Sequence, residues 1–185
     1  MDNGASSYRR FLNGDDTGIV EIIRDYKDGL ILYLNGITGN IHTAEEIMED
    51  TFVKLVTKKP RFSGKSSFKT WLYAIGRNRA LDYLRREKRI SHLPLEESEE
   101  LLKEEQLLEE SYIWETEKIV VHKALGKLKS EYRQILYLKY FEDFSNEQAA
   151  KVMRKSKHQI ENLVYRARLS LKSELEKEGF VYERL

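Results

Sequence analysis

The sequence contains no cysteine, only two prolines and no long apolar run. Without cysteine there is no disulfide framework, no thiol chemistry and no cysteine-ligated zinc, which fits a reducing cytoplasm. Proline is confined to Pro60 and Pro94, so long stretches of the 185 residues are compatible with helix. The most apolar run, Leu30 to Leu34, is far shorter than the roughly 20 residues a membrane helix needs, so no membrane insertion is expected. The opening MDNGASSYRRFLNGDD lacks the apolar centre of a secretory leader. Signals of catalysis are equally sparse. No glycine-rich phosphate loop is present, the four histidines (His42, His92, His122, His158) are scattered, and GDDTG at 14–18 reads as a helix start rather than a metal site. The expectation is a cytoplasmic, non-enzymatic protein with no metal and no cofactor.

What is present is charge, and it is unevenly placed. The net charge is only +1. Residues 54–92 nevertheless hold 12 Lys/Arg against 2 Asp/Glu, a local +10, and residues 93–117 hold 1 lysine against 10 glutamates, a local −9. A dense basic block implies a polyanionic partner. Within it, FSGKSSFKTWLYAIGRNRALDYLRREKR, residues 62–89, adds Phe62, Phe68, Trp71, Tyr73 and Tyr83 to the cations.

The apolar periodicity is helical throughout, so the expected fold is all-α, with two small helical units joined by an acidic linker. Ile19, Ile22, Ile23, Tyr26, Leu30 and Leu34 set one helix, capped by Asp16 or Thr17 and broken at Gly36 and Gly39. Ala44, Ile47, Met48, Thr51, Phe52 and Leu55 set a second, with Thr43 and Glu46 spaced as a capping box. A third runs from about Ser66 to Glu87 on the stripe Phe68, Trp71, Leu72 and Ile75, with Asp82 placed to pair with Arg86 and with Arg79. The acidic segment from Pro94 is low in complexity, with Leu101, Leu102, Leu107, Leu108, Ile113 and Trp114 as a docking side. Beyond it, Val120, Val121, Ala124, Leu125 and Leu128 form one stripe, and Tyr132, Ile135, Leu136, Leu138 and Tyr140 form another. Ser145 with Gln148 begins a short helix, and a turn at Arg154 to Ser156 leads to a long basic helix facing inward through Ile160, Leu163, Val164, Ala167, Leu171 and Leu175. Two helices joined by a tight turn are the helix-turn-helix pattern.

Two stretches together resemble a known family. GNIHTAEEIMEDTFVKL followed by FSGKSSFKTWLYAIGRNRALDYLRREKR is similar to region two of bacterial RNA polymerase sigma factors of the extracytoplasmic-function group. EYRQILYLKYFEDFSNEQAAKVM with YRARLSLKSEL is similar to their region four. The resemblance spans about Asp16 to Glu178, with region two over 16–92, the linker over 93–117 and region four over 118–178.

That resemblance implies three surfaces and several partners: core RNA polymerase, promoter DNA and an anti-sigma factor. Glu46, Glu49 and Asp50 would meet the polymerase clamp, although the family often has Gln where this chain has Glu49. The 60–67 loop would capture a base flipped from the minus-ten element. Phe62 and Asn78 would handle that base, and Lys58, Arg61, Lys65 and Arg77 the strand's phosphates. On the recognition helix, Lys157, His158, Gln159, Glu161, Asn162, Tyr165 and Arg166 would face the minus-thirty-five element. Arg166 matches a family arginine. Glu161 and Leu163 stand where many members carry basic residues, and Arg154 replaces a small turn residue. The rival reading is a helix-turn-helix regulator that binds duplex DNA alone. It accounts for Ser145 to Glu176 and leaves the aromatic-basic stretch without a role.

Overall fold

The computed structural model describes residues 3–90 and 116–179, and every regular element among them is helical. The N-terminal unit comprises α1 (Asn3–Leu12), α2 (Thr17–Thr38), α3 (Ile41–Lys58) and α4 (Phe68–Ile90). The C-terminal unit comprises α5 (Thr116–Gly126), α6 (Ser130–Leu136), a π-helical turn (Tyr137–Phe141), α7 (Asn146–Met153) and α8 (Lys157–Lys177). The expected linker lies outside the described residues as far as residue 115, together with the docking side expected on it.

Helix α2 is the organising element. Ile22, Leu30, Tyr33, Leu34 and Ile37 are all buried along it, because it packs on α1, α3 and α4 and also on α6 and the π-turn. A helix apolar around more than one face is buried on more than one face. Helix α3 presents the predicted stripe, with Ala44, Ile47, Met48, Thr51, Phe52 and Leu55 all buried. In α4, Phe68 and Leu72 are fully buried, while Trp71 and Ile75 are half-buried at the edge of the same cluster. One apolar core runs through both units, joined where Tyr73 of α4 stacks 5.2 Å from Phe144 and 5.4 Å from Tyr33.

Several local expectations are corrected. Helix α1 has no counterpart in the sequence reading. Tyr8 and Phe11 nevertheless bury it, with the Tyr8 ring 5.4 Å from both Phe68 and Trp71. Asp16 stands at the N-cap of α2, one of the two expected positions, but its side chain makes no capping hydrogen bond; Asp15 Oδ1 accepts the Thr17 N–H at 3.0 Å instead. Helix α2 also runs through Gly36 and ends at Gly39, which adopts the left-handed conformation (φ 72°) that glycine tolerates. Helix α3 is capped by Asn40, whose Oδ1 accepts the Thr43 N–H at 3.1 Å, one turn before the expected box. Asp82 pairs with Arg85 at 2.9 Å rather than with Arg86, and Arg79 reaches Asp50 at 2.7 Å. The π-turn shifts the helical phase after Leu136, so Tyr137 is buried and Tyr140 is left 55% exposed instead of lying on the stripe.

Candidate nucleic-acid interface

The helix-turn-helix is built by two reciprocal caps. Ser145 Oγ accepts the Gln148 N–H at 3.2 Å and Gln148 Oε1 accepts the Ser145 N–H at 2.7 Å. Ser156 and Gln159 repeat the arrangement at 3.1 and 2.8 Å, so α8 starts at Lys157. Between the helices Arg154 holds a left-handed turn (φ 55°), a conformation that costs an L-residue with a Cβ. Val152, Met153, Ile160, Leu163 and Ala167 bury the facing sides and fix the crossing.

This packing turns the opposite face of α8 to solvent. Lys157, His158, Gln159, Glu161, Asn162, Tyr165 and Arg166 are all exposed, Tyr165 at 65%. Some are already engaged. Lys157 Nζ meets Glu147 Oε1 at 2.5 Å, and this contact holds the Glu147 carboxyl down to about 2. His158 Nε2 lies 3.1 Å from Asn162 Nδ2. Gln159 Oε1 is committed to the Ser156 cap, so a two-pronged adenine contact through this amide would cost the cap. Leu163 is buried, so its apolar character follows from packing against α7.

In the N-terminal unit, the 60–67 loop crosses the aromatic cluster. Phe62 is half-buried, edge-on to Phe68 at 5.7 Å and 5.2 Å from Trp71. Tyr8 donates its hydroxyl to the Pro60 carbonyl at 2.8 Å and anchors the start of this loop, and burial pushes its pKa up to about 12. Lys58, Arg61 and Lys65 are exposed around it, and Asn78 is half-buried on α4.

Arg77 departs from the expectation of a solvent-facing phosphate contact. It is 8% exposed and donates from Nε to Gln134 Oε1 of α6 at 3.0 Å, beside the buried Tyr33. The same face of α4 is covered further along. Tyr73 donates to Glu142 Oε2 at 2.7 Å, and Lys69 Nζ contacts that oxygen at 2.8 Å and the Glu142 carbonyl at 2.9 Å. Lys151 of α7 donates to the Lys65 carbonyl at 2.8 Å. Across the seam, Arg133 spans three carbonyls: Gly36 at 3.1 Å, Gly126 at 3.0 Å and Leu128 at 2.7 Å. Lys69, Tyr73, Gln134 and Glu142 had no signal in the sequence, since their partners lie 57 to 73 residues away.

The outer face of α3 is distinct in character. Glu46, Glu49 and Asp50 are exposed, and Val53 (55%) and Val56 (42%) continue the same side. An acidic strip, in which Asp50 is paired with Arg79 of α4, leads into exposed valines on this helix face. The valines belong to this face as much as the carboxylates do. Among the described residues no cluster of His, Asp or Glu is arranged to hold a metal ion, and no helix is long and apolar enough to cross a membrane.

The comparisons with known proteins agree with this geometry. The family model for sigma-70 region 2 matches residues 22–90, and that for sigma-70 region 4 matches residues 118–171. The chain is 30% identical to the RNA polymerase sigma factor YlaC of Bacillus subtilis, over 86% of this chain and 92% of that protein. It is 25% identical to the ECF RNA polymerase sigma factor SigW of the same organism, over 88% of this chain and 91% of the other. Among solved structures, the sigma factor RpoE of Bartonella quintana, in complex with the anti-sigma factor NepR, superposes with a TM-score of 0.68. It covers 84% of this chain and 95% of that one at 22% identity, a likeness of fold. With both regions matched in order around one shared core, the chain belongs to the extracytoplasmic-function group of the sigma-70 family of RNA polymerase sigma factors.

Proposed function

We propose that this sigma factor binds core RNA polymerase, directs it to promoters and helps melt the minus-ten element. Region two (16–92) would dock through the α3 face of Glu46, Glu49, Asp50, Val53 and Val56. Phe62 and Asn78 would hold the unpaired base, with Lys58, Arg61 and Lys65 on the strand and Arg77 joining them once it is released from Gln134. Region four (118–178) would read the minus-thirty-five element through Lys157, His158, Glu161, Asn162, Tyr165 and Arg166, with Gln159 contributing only its amide nitrogen. The linker (93–117) would tether two weak readers so that the second contact becomes intramolecular. The protein acts in the cytoplasm, catalyses no reaction itself and has an anti-sigma factor as a partner, the kind of partner seen with the RpoE neighbour.

The observation that carries this reading is the exposed polar face of α8, presented by a doubly capped helix-turn-helix behind a unit that carries an aromatic-basic loop. Run-off transcription with purified bacterial core polymerase on genomic promoter fragments tests it. Specific transcripts that depend on the added chain are expected. Absence of transcripts, together with failure to retain core polymerase in a pull-down, would overturn the reading. The stand-alone regulator predicts instead tight, sequence-specific duplex binding without polymerase.

A further inference from the structure

The start of the 60–67 loop rests on helix α1, and α1 is itself fastened to α2. A Cβ on Gly18 of α2 would collide with the Ser7 carbonyl, so the two helices meet backbone to backbone. Ser7 Oγ donates to Glu21 Oε2 at 2.6 Å, and the Arg10 guanidinium meets the same oxygen. From this fixed helix two rings, three residues apart and so on one face, reach the chain where it leaves α3. Phe11 lies under the Lys59 ammonium, with 4.8 Å from Nζ to the ring centre, and Lys59 turns the chain in the left-handed region (φ 41°). Tyr8 is 1% exposed and donates its hydroxyl to the Pro60 carbonyl at 2.8 Å.

A peptide group is planar, so holding the Pro60 oxygen fixes the direction in which Arg61 and Phe62 leave it, and the proline ring fixes φ on the other side. Arg61 is exposed, and Phe62 is turned in against Phe68 at 5.7 Å and Trp71 at 5.2 Å. These are the two rings that Tyr8 packs on from α1, each at 5.4 Å. Every residue of this hold belongs to the N-terminal unit. A loop that captures a base bears the cost of its own ordering, and a loop ordered beforehand binds more tightly for that reason. We propose that α1 is a positioning element for the minus-ten base pocket, and that Tyr8 acts through the Pro60 carbonyl to set Phe62 for the unpaired base. Phe11 assists by seating Lys59. Tyr8 is a positioning residue and touches no DNA, since its ring is covered and its hydroxyl is committed to the carbonyl. The inference rests on the minus-ten reading of region two.

The test uses the full chain assembled with core polymerase and a promoter recovered by run-off transcription. The probe is the fluorescently labelled non-template strand across its minus-ten element, either intact or with an abasic site at the base whose removal weakens wild-type binding most. The wild type is expected to prefer the intact strand by about tenfold, the worth of stacking one base. Tyr8→Phe keeps the ring and removes the hydroxyl, and its preference should fall about fivefold, to about twofold, the worth of one hydrogen bond. Phe11→Leu moves the preference the same way by less, and carries the test should Tyr8→Phe not fold. Ile47→Val, buried in α3 about three turns before the loop, loses a comparable amount of stability and keeps the wild-type preference. A preference unchanged in the folded Tyr8 and Phe11 variants overturns the proposal, as does an equal fall in Ile47→Val. Absence of transcripts from the wild type would remove the sigma reading itself, whereas transcripts with an unchanged preference remove this proposal alone.

Discussion

Arg133→Met probes the seam between the units most directly. Arg133 is 5% exposed and, among the described residues, is not paired with a carboxylate. Its guanidinium is held by the Gly36 carbonyl near the end of α2 and by the Gly126 and Leu128 carbonyls around the end of α5. Carbonyls at helix C-termini carry partial negative charge, which is why a cation is tolerated there. Burial pulls its pKa down from the ordinary arginine value, so the carbonyls hold it against a real desolvation cost. Methionine keeps the apolar stem and removes the donors. Gly36 retains a hydrogen bond from Ser130 Oγ at 3.3 Å, so the main loss is at Gly126 and Leu128. Leaving a buried acceptor unsatisfied costs about 1–3 kcal/mol, so two of them give an expected loss of about 3 kcal/mol. With an m-value of about 2 kcal/mol/M, the urea midpoint falls by about 1.5 M. Arg133→Lys keeps the charge but not the fork, and should lie between the two. A methionine variant within about 0.2 M of wild type would refute the reasoning, because the carbonyls would then be hydrated and the arginine merely packed.

Three further outcomes follow from single residues. Arg154→Gly relieves the left-handed turn between α7 and α8 and should raise stability by up to about 1 kcal/mol in urea unfolding, with the far-UV spectrum unchanged. Arg166→Ala removes an exposed cation of α8 and should weaken binding of the polymerase complex to promoter duplex by about 1–3 kcal/mol if it pairs with a guanine, measured by competition with base-substituted promoters. His122 has its pKa lowered by burial, so protonation opposes the fold. Stability is then complete above the ordinary value of 6.5 and falls as pH drops through the lowered value, and His122→Gln should flatten the difference between unfolding at about pH 7.5 and about pH 5.5.

The parts of the site that were legible in the sequence depend on near neighbours. The Ser145 cap reaches only three residues along the chain, and it forms as spaced with Gln148. The buried stripe of α3 is a periodicity within one helix, and it holds at every position. Errors arose where two local signals compete or where a distant segment intervenes. Gly36 reads as a break, yet its carbonyl is wanted by Arg133 and Ser130 and the helix continues through it. Tyr140 fits a stripe only if the helix keeps its period, and the π-turn alters that period. Helix α1 is polar along most of its length and is held by the buried Tyr8 and Phe11, the Tyr8 ring landing on Phe68 and Trp71 of α4.

The helical class, the order of the two units and the residues that face outward on α8 follow from residue order, because spacing along a helix settles which side a residue takes. The tertiary structure alone decided what the cations of α4 do. Arg77 and Lys69 belong to the same basic block as Arg61 and Lys65, and nothing in their spacing separates them. The first two are engaged by Gln134 and Glu142, while the side chains of the other two remain in solvent. A charge is read from composition, but the partner that neutralises it is chosen by the packing of distant segments, through contacts that appear only once the chain has folded.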